Sequence, residues 1–292
     1  MVVVFAIISC SISLYSNRGI GRIAGGNMPD EVAYVHQPFI AEFYDMHHQY
    51  QTRGDEPFYI GLAREYGEPV LEVACGTGRI ALPMARAGIE VVGLDLSEHM
   101  LNVFRGKLAD EPIEVASRIE LHKGDMRQYD LREQFPLVTI PFNSFAQMLT
   151  TEDQFATLET ARRHLAPGGR LVLDVFCPYP PYLVDESRKE KVSEGGPVTL
   201  SDGRTMSYLM RDIGHDWIHQ LVHVEHLFTV THPDGRSEQL VHEFTIRYLY
   251  RWELEHLLAR AGFRIETIYG GFDRQPFGER EPCLMLTVAT MI

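Results

Sequence analysis

An acid interrupts an otherwise apolar strand pattern in the segment Val70-Leu71-Glu72-Val73-Ala74-Cys75-Gly76-Thr77-Gly78-Arg79. The strand pattern runs straight into a glycine turn and then into helical spacing. Glycines let the backbone turn tightly and come close to a ligand, and the N-terminus of the following helix offers unpaired N–H groups. Taken alone, Gly76-Thr77-Gly78-Arg79-Ile80-Ala81 fits the dinucleotide pattern G-x-G-x-x-A, with Asp95 at the end of the next strand placed for a ribose hydroxyl. Glu72 argues otherwise. A carboxylate there would repel a pyrophosphate and welcome a cationic ligand.

Strand and helix patterns alternate from residue 70 to about 176, as in a parallel sheet with helices on both faces. Strands are expected at Val70–Ala74, Glu90–Asp95, Ile119–Lys123, Leu137–Phe142 and Arg170–Phe176. Helices fall near Arg79–Ala87, Glu98–Leu108 and Glu152–Leu165, the second capped by Ser97 and the third ended by Pro167-Gly168-Gly169. Ahead of the sheet, Pro38 to Gln51 has helical apolar spacing at Phe39, Ile40, Phe43, Tyr44 and His47, which suits a lid over the ligand end. After Phe176 a Pro- and charge-rich connector gives way to period-2 patterns in Ser207–Ile213, Ile218–Thr231 and Glu238–Tyr250. His232-Pro233-Asp234-Gly235 reads as the hairpin turn between the last two. Trp252–Ala261 returns to a helix stopped by Gly262, and Phe263–Tyr269 and Cys283–Ile292 supply two closing strands.

The chain has 292 residues, 45% of them hydrophobic, enough for a full α/β core with one insertion. A net charge of −13 disfavours a nucleic-acid partner, which needs a clustered positive surface, and favours small molecules as acceptors. Cys10, Cys75, Cys177 and Cys283 form no C-x-x-C pair, so reduced thiols in a cytoplasmic protein are expected. Met1 to Leu14 is apolar but too short to span a bilayer and lacks a basic signal-peptide start. Gly25-Gly26-Asn27 can be the translation of a purine-rich ribosome-binding stretch, so Met28 is the expected start and residues 1–27 an extension.

The pattern E-x-A-C-G-T-G at Glu72 to Gly78 resembles motif I of the class I S-adenosylmethionine (SAM)-dependent methyltransferases. The resemblance extends from about residue 37 through ordered motifs: Val91-Val92-Gly93-Leu94-Asp95-Leu96-Ser97, Gly124-Asp125-Met126, Pro141-Phe142-Asn143-Ser144 and Leu165-Ala166-Pro167-Gly168-Gly169-Arg170-Leu171. It implies a Rossmann-like seven-stranded α/β sheet with helices on both faces and a last antiparallel strand, here with an antiparallel β insertion after the fifth strand. The parts are then lid helices at 28–69, a SAM-binding core at 70–177, an acceptor cover at 178–250 and the closing helix and strands at 251–292.

The resemblance further implies that Asp95 accepts from both ribose hydroxyls and that Leu96 and Met100 flank the adenine. Asp125 would accept from the adenine amino group, beside the Met126 backbone. Glu72, with the loop of Ala74, Cys75, Gly76 and Gly78, would face the methionine moiety, and charge would strengthen its hold on the ammonium. Pro141 belongs to the same cofactor set. Tyr44 and Arg53 would close over the cofactor, Arg53 pairing its carboxylate. Strand-end acids are otherwise ordinary turn or cap residues. Cys75 reads as a packed residue of the loop, with no base to activate it.

Methyl transfer is an in-line displacement, so positioning and exclusion of water are the main demands on the protein. His47 and Asn143 are the expected catalytic residues, with His47 as base or, alternatively, packed under its helix. His48, Gln147, Phe176, Arg247 and Tyr248 would line the acceptor; Arg247 could read an anionic group or pair with surplus acids. His215, His219, His223 and His226 would mimic a metal site on a helix, but their β-forming neighbours split them between two strand faces, so no metal is expected. His219 and His223, on one face, could line the acceptor or simply be exposed. Pro180-Pro181-Tyr182 imitates a nucleic-acid amino-methyltransferase motif but follows the fifth strand instead of the fourth.

The expected function is SAM-dependent transfer of a methyl group to N or O of a small molecule. The chain would act without nucleic acid or membrane, in a homodimer if oligomeric. The rival readings are an NAD(P)-dependent oxidoreductase and a non-catalytic SAM-binding protein on the same fold.

Overall fold

The alternation of strands and helices closes into one main sheet in the computed structural model, which describes residues 35, 37–46, 53–179, 183–184, 191–192 (backbone only), 196–279 and 284–292. All belong to one unit, Val32–Ile292. The extension at 1–27, the start at Met28, the lid residues His47 and His48, and the Pro180-Pro181-Tyr182 run lie outside the described residues.

The lid region holds helix α1 (Pro38–Phe43), a 3₁₀ turn (Tyr44–Met46) and helix α2 (Glu56–Tyr66). The core follows as β1 (Val70–Val73), α3 (Ala81–Arg86), β2 (Val91–Asp95), α4 (Glu98–Ala109), the short α5 (Ile113–Ala116), β3 (Ile119–Lys123), β4 (Phe135–Ile140), α6 (Thr151–Arg163) and β5 (Leu165–Phe176). After the second sheet, α7 (Arg251–Arg260), β11 (Phe263–Tyr269) and β12 (Leu284–Met291) return to the core. The seven-stranded order is β11-β12-β5-β4-β1-β2-β3. Strand β12 runs antiparallel to β5 and β11, and the other pairs are parallel. Chain order reverses between β1 and β4, where open α/β sheets form their ligand crevice at the strands' carboxyl ends.

The period of two sorts the strands' side chains onto two buried faces. Leu71, Val73, Val138, Ile140, Leu171, Leu173 and Val175 pack with Leu158, Ala161, Leu254 and Leu258 of α6 and α7. Val70, Val91, Leu137, Val172, Leu286 and Val288 pack on the other side with Phe58, Tyr59, Leu62, Met84, Leu101 and Phe104 of α2, α3 and α4. Ser97 caps α4 by accepting the Met100 N–H at 3.4 Å. The stop after α6 differs from expectation. The helix ends at Arg163 and is capped at His164, so Pro167-Gly168-Gly169 lies inside the β5 run, where the β4 register shifts. His164 holds this join: its Nδ1 lies 2.8 Å from the Thr160 carbonyl, and Nε2 accepts the Leu131 N–H at 3.1 Å.

The second sheet is antiparallel and five-stranded: β6 (Lys191–Val192), β7 (Val198–Thr199), β8 (Thr205–Asp216), β9 (Leu221–Thr231) and β10 (Ser237–Arg247). The turn at His232 to Gly235 joins β9 and β10 as expected, with Gly235 at φ 86°. The even-numbered side chains of β9 face inward. Phe228 and Val230 meet Phe39, Phe43 and Met46 of the lid, while Val222 and Val224 meet Phe176, Leu183 and Tyr248 where β5 leaves the core. His219 is the exception to its expected place: it sits in the β8–β9 turn, its side chain 70% exposed and 2.7 Å from Asp216. The strand begins only at Leu221, so His219 and His223 do not share a strand face; His223 bonds Thr245 of β10 at 2.8 Å.

Candidate active site

The crevice begins with the loop after β1. Gly76 and Gly78 adopt φ 56° and 81°, conformations that side chains disfavour. At Gly78 a methyl group would also fall 2.3 Å from the Phe104 ring. The turn aims the Gly76 N–H at Asp95 Oδ2, 2.8 Å away, while the Ser97 N–H donates to Oδ1 at 2.8 Å. Burial raises the Asp95 pKa, opposed by the Ser97, Gly76 and Leu96 N–H groups. The carboxylate still has acceptor capacity for a further donor. Cys75 is buried beneath this loop, and burial pushes its thiol up, as befits a packed residue.

Glu72 lies one turn of chain earlier, on the α2 side of the sheet, and is 2% exposed. Burial pushes its carboxyl up to about 8, against the pull of Arg79 and with help from Asp55 and Asp95. Its Oε2 has no hydrogen-bond partner among the described residues. An orphaned buried acceptor beside an acid with spare lone pairs fits a ligand that brings an ammonium and a ribose diol.

Four charged residues ring the far side of the loop. Asp55, at the start of α2, takes both Arg79 nitrogens at 2.7 Å and lies 3.7 Å from Arg53. Arg53 in turn donates to Asp174 Oδ2 of β5 at 2.7 Å. The Phe142 ring lies 4.6 Å from the Arg53 guanidinium and 4.7 Å from that of Arg79. Asp55, Arg79, Phe142 and Asp174 were not among the expected site residues. Asp174 carried a readable sign, an acid in an apolar strand, the same sign that singled out Glu72.

Beyond β4 the backbone turns sharply. Phe142 and Asn143 both take left-handed conformations, φ 60° and 58°, before a 3₁₀ turn at Ser144–Gln147. Asn143 Oδ1 is buried and without a partner among the described residues. Pro141 is buried and Gln147 half-buried. Arg247 reaches this corner from β10, donating to the Leu149 carbonyl at 3.1 Å and lying 3.8 Å from Glu253. Phe176 and Tyr248 pack in one cluster beside it.

The N-terminal segment packs against the same crevice. Asp45 accepts from the Thr77 hydroxyl at 2.7 Å and pairs with Lys107 at 2.5 Å, while Lys107 also donates to the Thr77 carbonyl at 2.8 Å. Tyr44 meets the Phe142 ring edge-on at 6.3 Å. Met100 is buried under Ile40 and Ala41 of α1, and Leu96 is half-buried at the end of β2. Asp125 follows β3, where Arg127 grips it at 2.6 Å and also reaches Asp153 at 3.1 Å. Burial would raise the Asp125 carboxyl, but the Arg127 donors outweigh it and hold it below its ordinary value. Met126 packs against the core beside it.

This strand order, with its glycine loop and strand-end acid, defines a class I SAM-dependent methyltransferase fold, and the comparisons with known proteins agree. A family model described as a methyltransferase domain matches residues 70–169. The dTDP-3-amino-3,4,6-trideoxy-alpha-D-glucopyranose N,N-dimethyltransferase of Streptomyces venezuelae is 28% identical over 231 residues, 73% of this chain and 90% of that enzyme. The CcbJ methyltransferase of Streptomyces caelestis matches with a TM-score of 0.70 and 27% identity, over 90% of this chain and 99% of that one. SAM-bound CalS10, an amino pentose methyltransferase from Micromonospora echinaspora involved in calicheamicin biosynthesis, matches with a TM-score of 0.63 and 25% identity, over 88% of this chain and 97% of its own. The chain carries this methyltransferase domain and is a SAM-dependent methyltransferase, with SAM as its cofactor. The dinucleotide reading of Gly76 to Ala81 falls with this result. Among the described residues, no helix is long and apolar enough to cross a membrane.

Proposed function

We propose that this enzyme methylates the amino group of a small metabolite of the amino-sugar class, held between the β4 corner and the inner face of the second sheet. Bound SAM supplies a methyl group activated by its sulfonium. Glu72 holds the ammonium of the cofactor and Asp95 its ribose, with the Ala74, Cys75, Gly76 and Gly78 backbone along the methionine moiety and Pro141 beside it. Leu96, Met100, Asp125 and Met126 form the adenine side. Tyr44 and Arg53 close the lid edge. Arg247 offers its charge to an anionic group of the acceptor, and His48, Gln147, Phe176 and Tyr248 are assigned to the same acceptor. We further assign the enzyme to the cytoplasm, in homodimers.

Asn143 carries the acceptor reading. Its buried oxygen lacks a donor among the described residues, and a buried acceptor left unpaired is unfavourable by about 1–3 kcal/mol. An amine N–H supplies that donor and, once bound, has its lone pair directed at the cofactor methyl. The ammonium must first lose a proton, for which His47 is the assigned base. The amino-sugar class rests on the relatives, which match 73% of this chain for the dTDP-amino-sugar enzyme and 88% for CalS10.

Incubation with SAM and a panel of 3-amino and 4-amino dTDP-sugars, alongside their hydroxyl counterparts, tests the proposal by mass spectrometry. Gain of one or two methyl groups by the amines alone is expected. Methylation of the hydroxyl sugars alone, or of none of the panel, would overturn it.

A further inference from the structure

Two consecutive non-glycine residues in the left-handed region are strained, and such strain persists only where the surroundings over-determine it. Phe142 and Asn143, at φ 60° and 58°, are such a pair. One oxygen meets two of the groups that hold them: Asp174 Oδ2 accepts the Phe142 N–H at 2.9 Å and the Arg53 guanidinium at 2.7 Å. Arg53 and Arg79 lie against the Phe142 ring, and Asp55 holds Arg79 through both of its oxygens. From the following residue, Ser144 Oγ donates to the Pro141 carbonyl at 2.7 Å.

Asp174 is fully buried on β5, between the apolar Leu173 and Val175. An apolar side chain would sit there without the penalty of desolvating a carboxylate. The acid is therefore explained by what it holds. We propose that Asp174 is the positioning residue of the acceptor corner, fixing Phe142 and Asn143 in the left-handed turn that presents the Asn143 oxygen to the acceptor amine. Asp174 acts through the Phe142 backbone and couples that turn to Arg53, while its Oδ1 has no hydrogen-bond partner among the described residues. The inference rests on the acceptor reading of Asn143.

Its test uses Asp174→Val, which removes both contacts while matching the strand's own residues, with Asp174→Asn as the conservative control. In a crystal structure of the valine variant, residues 142 and 143 should leave the left-handed region; retention of both overturns the proposal. With a methylated amino sugar at saturating SAM, the valine variant should turn over roughly 10–100-fold more slowly. The asparagine variant, whose amide oxygen can still accept the Phe142 N–H, should recover most of that loss. In an Asn143→Ala background, Asp174→Val should slow the reaction no further, whereas multiplying losses would overturn the coupling. Should the valine variant not fold, amide exchange in the unaltered protein decides the matter: a protected Phe142 N–H supports the proposal and a freely exchanging one overturns it. If no amino sugar is methylated, the acceptor reading fails, while the crystallographic and exchange arms still settle what Asp174 holds.

Discussion

The Gly76 N–H donates to Asp95 Oδ2 at 2.8 Å, so the acid assigned to the ribose is oriented by the same loop assigned to the methionine moiety. Loop and acid form one unit. Under this assignment, Asp95→Ala would remove the charge-assisted bonds to the diol as well as the anchor of the loop. Hydrogen bonds to charged groups contribute about 1.5–3 kcal/mol each, so SAM affinity should fall roughly 100-fold or more while the domain stays folded. Calorimetric titration with SAM checks this, and an unchanged affinity would remove Asp95 from the site.

Assigned to the cofactor ammonium, Glu72 should make cofactor binding a proton-linked event. Its carboxyl is raised to about 8 by burial, so without ligand the folded enzyme holds a proton that the unfolded chain has already released. Stability from this group is therefore intact below the ordinary carboxylate range and declines as pH rises toward about 8. A cation bound at Glu72 favours the ionised form. SAM binding near pH ~7 should release a proton, and affinity should climb with pH until about 8. Calorimetry in two buffers of different ionisation enthalpy measures the released proton. In Glu72→Gln that proton should vanish, SAM should bind more weakly, and the ligand-free variant should lose less stability than the parent over the same rise. Equal proton release by parent and variant would contradict the assignment.

How much of this was legible follows from the range of each signal. The glycine loop, the Ser97 cap, the hairpin at His232 to Gly235 and the two closing strands are local patterns, and each lies where its residues put it. The acids Glu72 and Asp95 stood out because a charge in or ending an apolar strand is conspicuous. Asp174 was equally conspicuous, yet its partners are remote: Arg53 lies 121 residues away in sequence, and Asp55 lies 24 from Arg79. Pairing over such separations exists only once β5, α2 and the glycine loop meet. His219 misled because its β-forming neighbours continue the pattern of β9 across what is in fact a turn.

Asp45 should act on cofactor exchange more than on stability. It joins the lid to the glycine loop through Thr77 and to α4 through Lys107, yet the Asp45 and Lys107 side chains are 34% and 31% exposed. A pair so wetted contributes about 0–1 kcal/mol to folding. Asp45→Ala should therefore leave the urea midpoint nearly unchanged and speed SAM dissociation several-fold, as measured by stopped-flow displacement. A dissociation rate equal to that of the parent would show that the Asp45 contacts do not restrain the lid.

The two loop glycines should separate conformational strain from steric clash. A side chain at Gly76 meets nothing within 4 Å, so Gly76→Ala bears only the positive φ, which destabilises by about 1–2 kcal/mol. Gly78→Ala bears a similar φ and also drives its Cβ to 2.3 Å from Phe104, a fully buried ring that cannot swing into solvent. Overpacking of this kind adds about 1–3 kcal/mol. Urea unfolding should rank Gly78→Ala well below Gly76→Ala. Shortening the ring in Gly78→Ala/Phe104→Leu should recover part of the difference, although Phe104→Leu alone is destabilising. If the double variant is as unstable as the sum of the two single losses, the clash is not with Phe104, and strain in the loop itself must account for the ranking.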